Sequence, residues 1–235
     1  MTHILLPDDS YRRLAFYLSM EEYLAKETPL SSCFFLWSVK PTVIFGRNQD
    51  MQAEVNVDYC EANGVDMVRR KSGGGCVYAD EGNLMLSYIT RETDVNSVFA
   101  GYLKGLSEAL REMGFNAVAT EHNDVLVDGR KVSGNAFYAL PQSSIVHGTL
   151  LLNEDFTAME KAITPSKEKL GKHGVQSVRQ RVGNLGADMD VVKTHLIEHF
   201  CDSEYVLSAE EIKQIEEIEK TYLDENFLKF GRYKK

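Results

Sequence analysis

The sequence predicts an α+β fold, a mixed and largely antiparallel sheet with helices packed against it. Three observations carry that expectation. Short runs rich in β-branched and aromatic residues recur between Cys33 and Leu152. Asp128-Gly129 joins two of them as a tight antiparallel hairpin, because both turn positions of that type take positive φ. After Asn153 the apolar spacing turns helical.

In chain order, Ser10 to Glu27 reads as a helix with Tyr11, Leu14, Ala15 and Leu18 on one face. Cys33–Trp37 and Thr42–Phe45 are strands, the second bracketed by Pro41 and Gly46. Val57–Asn63 is a short helix that Gly64 stops, and Val65–Arg69 is a strand running into a glycine loop. Cys76–Tyr78 and Asn83–Thr90 continue the β character. The clearest helix follows, with Asp94 as N-cap, a stripe through Val95, Val98, Tyr102, Leu106, Leu110 and Met113, and Gly114 as its stop. Val118–Thr120 and Asp124–Val127 are strands; Lys131–Tyr138 returns from the hairpin turn, and Ile145–Leu152 comes last. Helices are expected over Asp155–Ile163, Asp188–Phe200 and Glu210–Tyr222. The last opens with a Ser208/Glu211 capping box; acidic and narrow-striped, it is expected at the periphery.

A hydrophobic content of 43% over 235 residues can bury a full core without staples. The cysteines (Cys33, Cys60, Cys76, Cys201) lie far apart with no C-x-x-C pair, which argues against structural zinc and a disulfide framework. The N-terminal segment lacks a basic leader with a long apolar run, and no window approaches about 18 apolar residues. The cytoplasm is therefore the expected compartment, with no membrane partner. A net charge of −9 argues against a general nucleic-acid binder. Yet six bases against one acid gather between Lys161 and Arg181. Cations collected near glycine motifs in an acidic protein suit a small anion, the alternative being a mottled solvated surface.

The stretch Val68–Leu84, VRRKSGGGCVYADEGNL, organises the rest. Gly73, Gly74 and Gly75 directly follow Arg69, Arg70, Lys71 and Ser72, and Asp80, Gly82, Asn83 and Leu84 close the stretch. Glycine runs let a backbone approach a ligand, and their N–H groups beside fixed cations make an anion cradle. The pattern is neither G-x-G-x-x-G nor a P-loop, so neither fold is implied; three glycines alone would be a tight turn. In Asn123–Tyr138, NDVLVDGRKVSGNAFY, the strand period of two places Lys131, Ser133 and Asn135 on one face. That lysine is either a solvated edge charge or a point charge for a phosphate or developing oxyanion, and its company favours the second. In Val146–Asn153, His147 reads as a hydrogen-bonded core histidine rather than a general base, while Gly148 and Thr149 are suited to line an acyl chain or carbonyl. Gly174–Leu185 is either a loop that closes a site or a surface connection. Cys76 has no adjacent histidine and reads as a packing residue that contributes its backbone.

These motifs, in this order, resemble the lipoate–protein ligase A family. Arg69–Asn83 matches its RR-x-SGGG-x-V-x-x-D-x-GN signature, and Asn123–Ala136 its ND…GRK-[VI]-SG-x-A segment. His147–Leu151 matches its HGTLL strand, and Gly174–Leu185 its G-[VI]-x-SV-x-x-RV-x-NL run. Phe35–Trp37 and Val43–Gln49 are similar to its first strands, so the likeness spans roughly residues 10 to 190. Ala79 departs from the family, where histidine often stands. The resemblance implies the fold of the biotin and lipoate ligase catalytic domain as one unit over residues 1–235, its core at about 10–190 and a helical extension at 191–235. It also leads to the expectation that the accessory lid domain of two-domain bacterial members is absent, a separate subunit or the carrier supplying closure.

The same resemblance implies ATP-dependent, AMP-forming ligation. Lipoate and Mg·ATP give lipoyl-AMP and pyrophosphate, and a carrier lysine then attacks the mixed anhydride. The implied carriers are lipoyl domains of 2-oxoacid dehydrogenase complexes or the glycine cleavage H protein. Lys131 would be the catalytic residue and, with Arg70, would supply positive charge. Gly75, Cys76, Val77 and Tyr78, through their backbone, and Asn83 would hold ATP and the adenylate, and Asp124 would help place Mg²⁺. Trp37, Gly73, Gly74, Ser133, Gly134, His147, Gly148 and Thr149 would surround lipoate with Lys131, and Val43 and the Val146–Leu152 strand would add apolar wall. One alternative is an octanoyl- or lipoyl-transferase working without ATP; that branch pairs a cysteine with the lysine, and Lys131–Asn153 holds none. The other is a non-catalytic adenylate- or carrier-binding module, against which the retention of both Arg70 and Lys131 speaks.

Overall fold

The computed structural model of the chain describes residues 1–121, 123–163 and 181–231. The elements begin β1 (Thr2–Leu5), α1 (Leu14–Glu27), β2 (Ser32–Trp37), β3 (Thr42–Phe45), α2 (Met51–Glu54), α3 (Val57–Asn63) and β4 (Asp66–Arg69). Then come β5 (Val77–Ala79), β6 (Asn83–Thr90), α4 (Val95–Glu112), β7 (Ala117–Ala119), β8 (Asp124–Val127), β9 (Arg130–Leu140) and β10 (Ser143–Leu151). The described elements end with α5 (Phe156–Ala162), α6 (Met189–Phe200), β11 (Ser203–Val206), α7 (Ala209–Tyr222) and α8 (Glu225–Phe230).

The strands form an eight-stranded sheet, ordered β11-β1-β2-β6-β10-β9-β8-β7, and a three-stranded sheet, β4-β3-β5. Pairing is antiparallel except where β1 meets β11 and β2, and where β3 meets β4. This is the mixed, largely antiparallel arrangement that the sequence predicts. Alternation along each strand sorts side chains into two cores. Phe35, Trp37, Met85 and Ile145 pack beneath α1 and α7, while Phe34, Leu84, Leu86 and Val146 pack beneath α4 and α6. A third core joins the small sheet to α3 and α5 through Phe45, Cys60 and Met159.

Two differences from the expected helices matter for the site. Helix α1 starts at Leu14, because Arg13 as N-cap offers no acceptor to the first turn, and Tyr11 stays 53% exposed outside it. It is buried on every side, Glu21 and Glu22 included at 2% exposure each. The acidic α7 is not peripheral. Its Ile212, Ile215 and Tyr222 are buried against α1, and the Tyr222 hydroxyl donates to Glu22 Oε1 at 2.5 Å. Arg13 pairs with Glu219 at 2.7 Å, so a narrow apolar stripe plus buried polar links suffices to seat it. β11 pairs with β1 and α7 packs on α1, so residues 203–222 are joined to the core. Elsewhere local chemistry acts as expected: Asp94 caps α4 by accepting from Ser97 N at 2.7 Å, and Asp128 and Gly129 take φ of 49° and 79° in the hairpin turn. Among the described residues no helix is long and apolar enough to cross a membrane.

Candidate active site

A cavity of about 660 Å³ opens between the α1-covered face of the large sheet and the small sheet. Leu14 and Leu18 of α1, Met85 of β6, and Ile44 and Val77 of the small sheet give it an apolar end. From β10, His147, Thr149 and Leu151 face it, while Val146 and Leu150 point into the core under α4. Trp37 lines it too, stacked on Tyr17 with centroids 4.6 Å apart. Val43, expected here, is turned away by the same alternation into the third core; its neighbour Ile44 takes the place.

The glycine loop between β4 and β5 is shaped from within by the two arginines. Arg69 donates to the carbonyls of Gly46, Arg47, Gln49, Leu228 and Lys229, which ties α8 to the base of the loop. Arg70 donates through Nε to Ser72 Oγ and Gly73 O, through Nη1 to Ile44 O, and through Nη2 to Gly73 O and Gly75 O. Burial pulls its pKa down to about 10, which leaves it cationic at neutral pH. In this structure the Arg70 donors serve the loop carbonyls and Ser72, and Arg70, expected to supply positive charge, also lines the cavity. Gly74, at φ 93°, could not carry a side chain, since a Cβ would sit 2.8 Å from Arg70 Nη2. Gly73, expected beside lipoate, is exposed and lies outside the cavity lining. Gly74, Gly75, Cys76, Val77 and Tyr78 do line the cavity.

A buried hydrogen-bond chain connects this loop to the sheets. Trp37 Nε1 donates to Ser87 Oγ at 2.9 Å, and Ser87 donates to Glu21 Oε1 at 2.5 Å. Glu21 Oε2 lies 2.8 Å from His147 Nδ1, and His147 Nε2 lies 2.7 Å from Ser72 Oγ. Because indole and guanidinium only donate, one proton arrangement satisfies every member. Arg70 donates to Ser72, Ser72 to His147 Nε2, and His147 Nδ1–H to an ionised Glu21. His147 is thus the satisfied buried histidine that the sequence suggests. The Ser72–His147–Glu21 geometry is that of a nucleophilic triad, but Ser72 is 2% exposed and absent from the cavity wall. It fixes the loop.

Lys131 approaches from the other side. A β-bulge in β9, where Leu126 pairs with Lys131 but Val125 with Ser133, shifts the alternation. Ser133 then sits beside Val125 and Leu150 of the α4 core, with Asn135 Nδ2 donating to its hydroxyl at 3.1 Å. The expected shared face of Lys131, Ser133 and Asn135 is therefore broken. Lys131 shares the cavity face with Gly134 and Ala136, and Ser133 points away. The ammonium pairs with Asp124 Oδ1 at 2.7 Å, 34% exposed, and lies flat over Gly134, whose missing Cβ would meet Lys131 Cε and Nζ at 2.7 Å. Gly148 makes similar room for Asn135 on the opposite face, where a Cβ would overlap Asn135 Oδ1.

Two further segments reach the cavity. Of the Gly174–Leu185 run, residues 174–180 lie outside the described residues, as do Lys167, Lys169, Lys172 and Arg179 of the basic cluster. Arg181 and Val182 line the cavity, and Gly183 N donates to Lys131 O at 2.8 Å. Asn83 is fully buried, absent from the lining, and donates Nδ2 to Glu154 Oε2 at 2.7 Å. Glu154, which the sequence did not single out, lines the cavity; burial, and then the nearby Asp80, push its pKa up to about 8. Nothing local marks it, since its partner stands 71 residues away.

Residues 13–201 match the family model described as the lipoyl protein ligase A/B catalytic domain. Lipoate–protein ligase 1 of Staphylococcus aureus is 41% identical over 171 residues, 72% of this chain and 52% of that protein. The chain thus spans about half the length of that curated relative. A structure from an archaeal lipoylation system of Thermoplasma acidophilum, described as a bi-partite lipoate protein ligase and its E2 lipoyl domain, superposes with a TM-score of 0.87. That alignment has 24% identity and covers all of this chain and 98% of the other. A lipoate-protein ligase A bound with ATP gives 0.81 at 22% identity, covering 97% of this chain and 96% of that one. At such identities the two structures speak for the fold.

Proposed function

The chain belongs to the lipoyl protein ligase A/B catalytic-domain family, and from that premise we propose that it activates lipoate with ATP and passes the lipoyl group to a carrier lysine. The observation that carries the reading is the Lys131 ammonium, held over Gly134 in the cavity that the apolar residues and the glycine-loop backbone also line. The dithiolane and its chain would lie against Leu18, Trp37, Met85 and Thr149, which offer an apolar slot. The adenylate would follow the backbone of Gly75–Tyr78. In that pose Lys131 would stand beside the acid's carbonyl oxygen and the α-phosphate.

In the first half-reaction the lipoate carboxylate attacks the α-phosphorus and pyrophosphate leaves. In the second, the carrier's amine attacks the anhydride carbonyl and AMP leaves. Both transition states gather negative charge where Lys131 stands, so one point charge serves both. No nucleophile of the chain is needed, which agrees with Ser72 being turned from the cavity. Among the described residues no group of three or more His, Cys, Asp or Glu could hold a metal ion. Asp124 alone still suits Mg²⁺, which commonly takes one or two carboxylates with phosphate oxygens and keeps several waters. When bound, Mg²⁺ would neutralise phosphate charge. Lipoyl domains of cytoplasmic 2-oxoacid dehydrogenase complexes or the glycine cleavage H protein would be the carriers. The naming of the archaeal neighbour with its E2 lipoyl domain supports that choice. A separate accessory subunit or the carrier itself would close the cleft during adenylation.

Mass spectrometry of a purified lipoyl domain incubated with the chain, lipoate and Mg·ATP tests the reading. A lipoyl mass increment that requires ATP is expected. An increment only from an acylated carrier, without ATP, would make the chain a transferase. An unchanged mass, even with pre-formed lipoyl-AMP, would make it a binding module.

A further inference from the structure

Glu154 and Asn83 present a problem in hydrogen bonding that only a proton solves. Asn83 Nδ2 donates to Glu154 Oε2 at 2.7 Å, and both side chains are buried. The remaining oxygens, Asn83 Oδ1 and Glu154 Oε1, are buried without a hydrogen-bond partner. Both are acceptors if Glu154 is ionised, and two buried acceptors cannot satisfy each other. The residues cannot easily drift apart. Glu154 N donates to Asn184 Oδ1 and Asn184 Nδ2 to Glu154 O, each at 3.0 Å. Asn83 N donates to Asp80 O at 3.0 Å, and Leu152 N and Asn153 N both donate to Gly82 O.

We infer that Glu154 is carried as a neutral carboxylic acid whose Oε1–H donates to Asn83 Oδ1, closing a two-bond acid–carboxamide ring that positions the nucleotide wall of the cleft. The inference rests on the proposed ATP-dependent function for its consequence, and on the two unpartnered oxygens for its chemistry. Asp80, Asp155 and Tyr78 are the titratable groups around Glu154, and among the described residues it has no ion-pair partner. Asp80 itself has a raised pKa from burial, with Oδ1 accepting from Gly82 N and Oδ2 from Asp155 N. An ionised Glu154 would add a further negative charge beside the Asp80 and Asp155 carboxyls and orphan both oxygens. The strain would fall on the Asp80–Gly82 turn, which directly continues β5, the strand whose backbone is proposed to hold the adenylate. Glu154 is thus a positioning residue, acting through Asn83 and that turn.

The consequence is an alkaline limit on nucleotide binding. With the Glu154 pKa at about 8, the protonated form falls at pH 9.5 to about one thirtieth, so ATP affinity drops about 30-fold if only that form binds. Glu154→Gln supplies the same ring permanently, its Nε2 donating to Asn83 Oδ1. Calorimetric ATP binding from pH 7 to 9.5 should fall for the wild type and stay flat for Glu154→Gln. Parallel profiles for the two proteins would overturn the inference. Carbon-13 NMR of δ-labelled glutamate, with Glu154→Gln to assign the resonance, reads the proton directly. A neutral Glu154 carboxyl at pH 7 is expected, and an ionised one overturns the inference whatever ATP does. If neither protein binds ATP at any pH while the carboxyl is neutral, the ring stands and the ATP-dependent function fails.

Discussion

Gly134→Ala isolates the position of Lys131 from its presence. An alanine Cβ at 134 would lie 2.7 Å from Lys131 Cε and Nζ, against an ordinary contact of about 3.5–4.0 Å. The next atom, Asp124 Oδ1, stands 3.8 Å off, so only the lysine tip must yield, by about 1 Å. Gly134 does not have positive φ, so the backbone tolerates alanine and gains about 0.5–1 kcal/mol from the lost glycine entropy. The melting temperature should therefore hold or rise. A misplacement of about 1 Å in a preorganised site costs on the order of 10²-fold in rate. Lys131→Ala should cost about 10² to 10³. Lys131→Arg should fail substantially too, since a planar fork does not replace a compact ammonium over that gap. Lipoate-dependent pyrophosphate release, carrier lipoylation from pre-formed lipoyl-AMP and thermal melts should be measured together. Wild-type rates in Gly134→Ala at an unchanged melting temperature would refute the reasoning, because the pose across Gly134 would then be idle.

Three further predictions concern what holds the site in place. Glu154 carries its raised pKa in the folded state only, so the native protein holds a proton that the unfolded chain releases above about pH 4.5. Stability should therefore fall as pH rises from about 4.5 to about 8 and level off above, by at most about 5 kcal/mol at about 1.4 kcal/mol per unit; urea midpoints that decline equally in Glu154→Gln would sink this assignment. Arg69→Ala removes one donor from each of five carbonyls, of which Gly46 O keeps Gln49 N, and should cost about 3 kcal/mol or more, with faster proteolysis near residue 228; Arg69→Lys should rescue little, and a wild-type melt for either variant would count against the clasp. Glu21→Gln turns one acceptor into a donor facing Ser87 or His147, so its urea midpoint should report a loss of about 1–3 kcal/mol; an unchanged midpoint would mean that Glu21 is not the ionised acceptor of both.

What could be read in the sequence was what local chemistry decides. The bounds of β3, β6 and β8 and the caps Asp94 and Ser208 were legible, because a cap is a bond between residues two or three apart. Strands β1 and β11 were not. They are short, and β11 is exposed along its length, so only parallel pairing across some 200 residues defines them. The face of Ser133 was misjudged for a related reason: a bulge is a property of the pairing, and one extra residue exchanges the two faces. Glu154 escaped notice because burial and a distant amide, and no motif, give it its chemistry.

The cations of the central motif look equivalent in sequence, yet each does something different. Arg69 is spent on carbonyls that seat α8, and Arg70 on carbonyls that shape the glycine loop. Lys71 pairs with Glu22 at 2.6 Å and rests 4.2 Å from the centre of the Tyr222 ring, joining α1 to α7. A guanidinium that donates to several carbonyls at once, among them the buried Gly46 O for Arg69 and Ile44 O for Arg70, gives up those bonds if it moves to a ligand, and a buried acceptor left without a donor costs about 1–3 kcal/mol. These charges are fixed, and they supply form. Lys131 differs in kind, since its partner is one half-exposed carboxylate, and an ion pair of that sort contributes only about 0–1 kcal/mol. Under the proposed function, exchanging Asp124 for a phosphate or carboxylate oxygen would cost little and would leave Asp124 to face a cation. The same argument predicts that Lys131 should be the cation whose removal costs rate without stability, whereas loss of Arg69 or Arg70 should cost both.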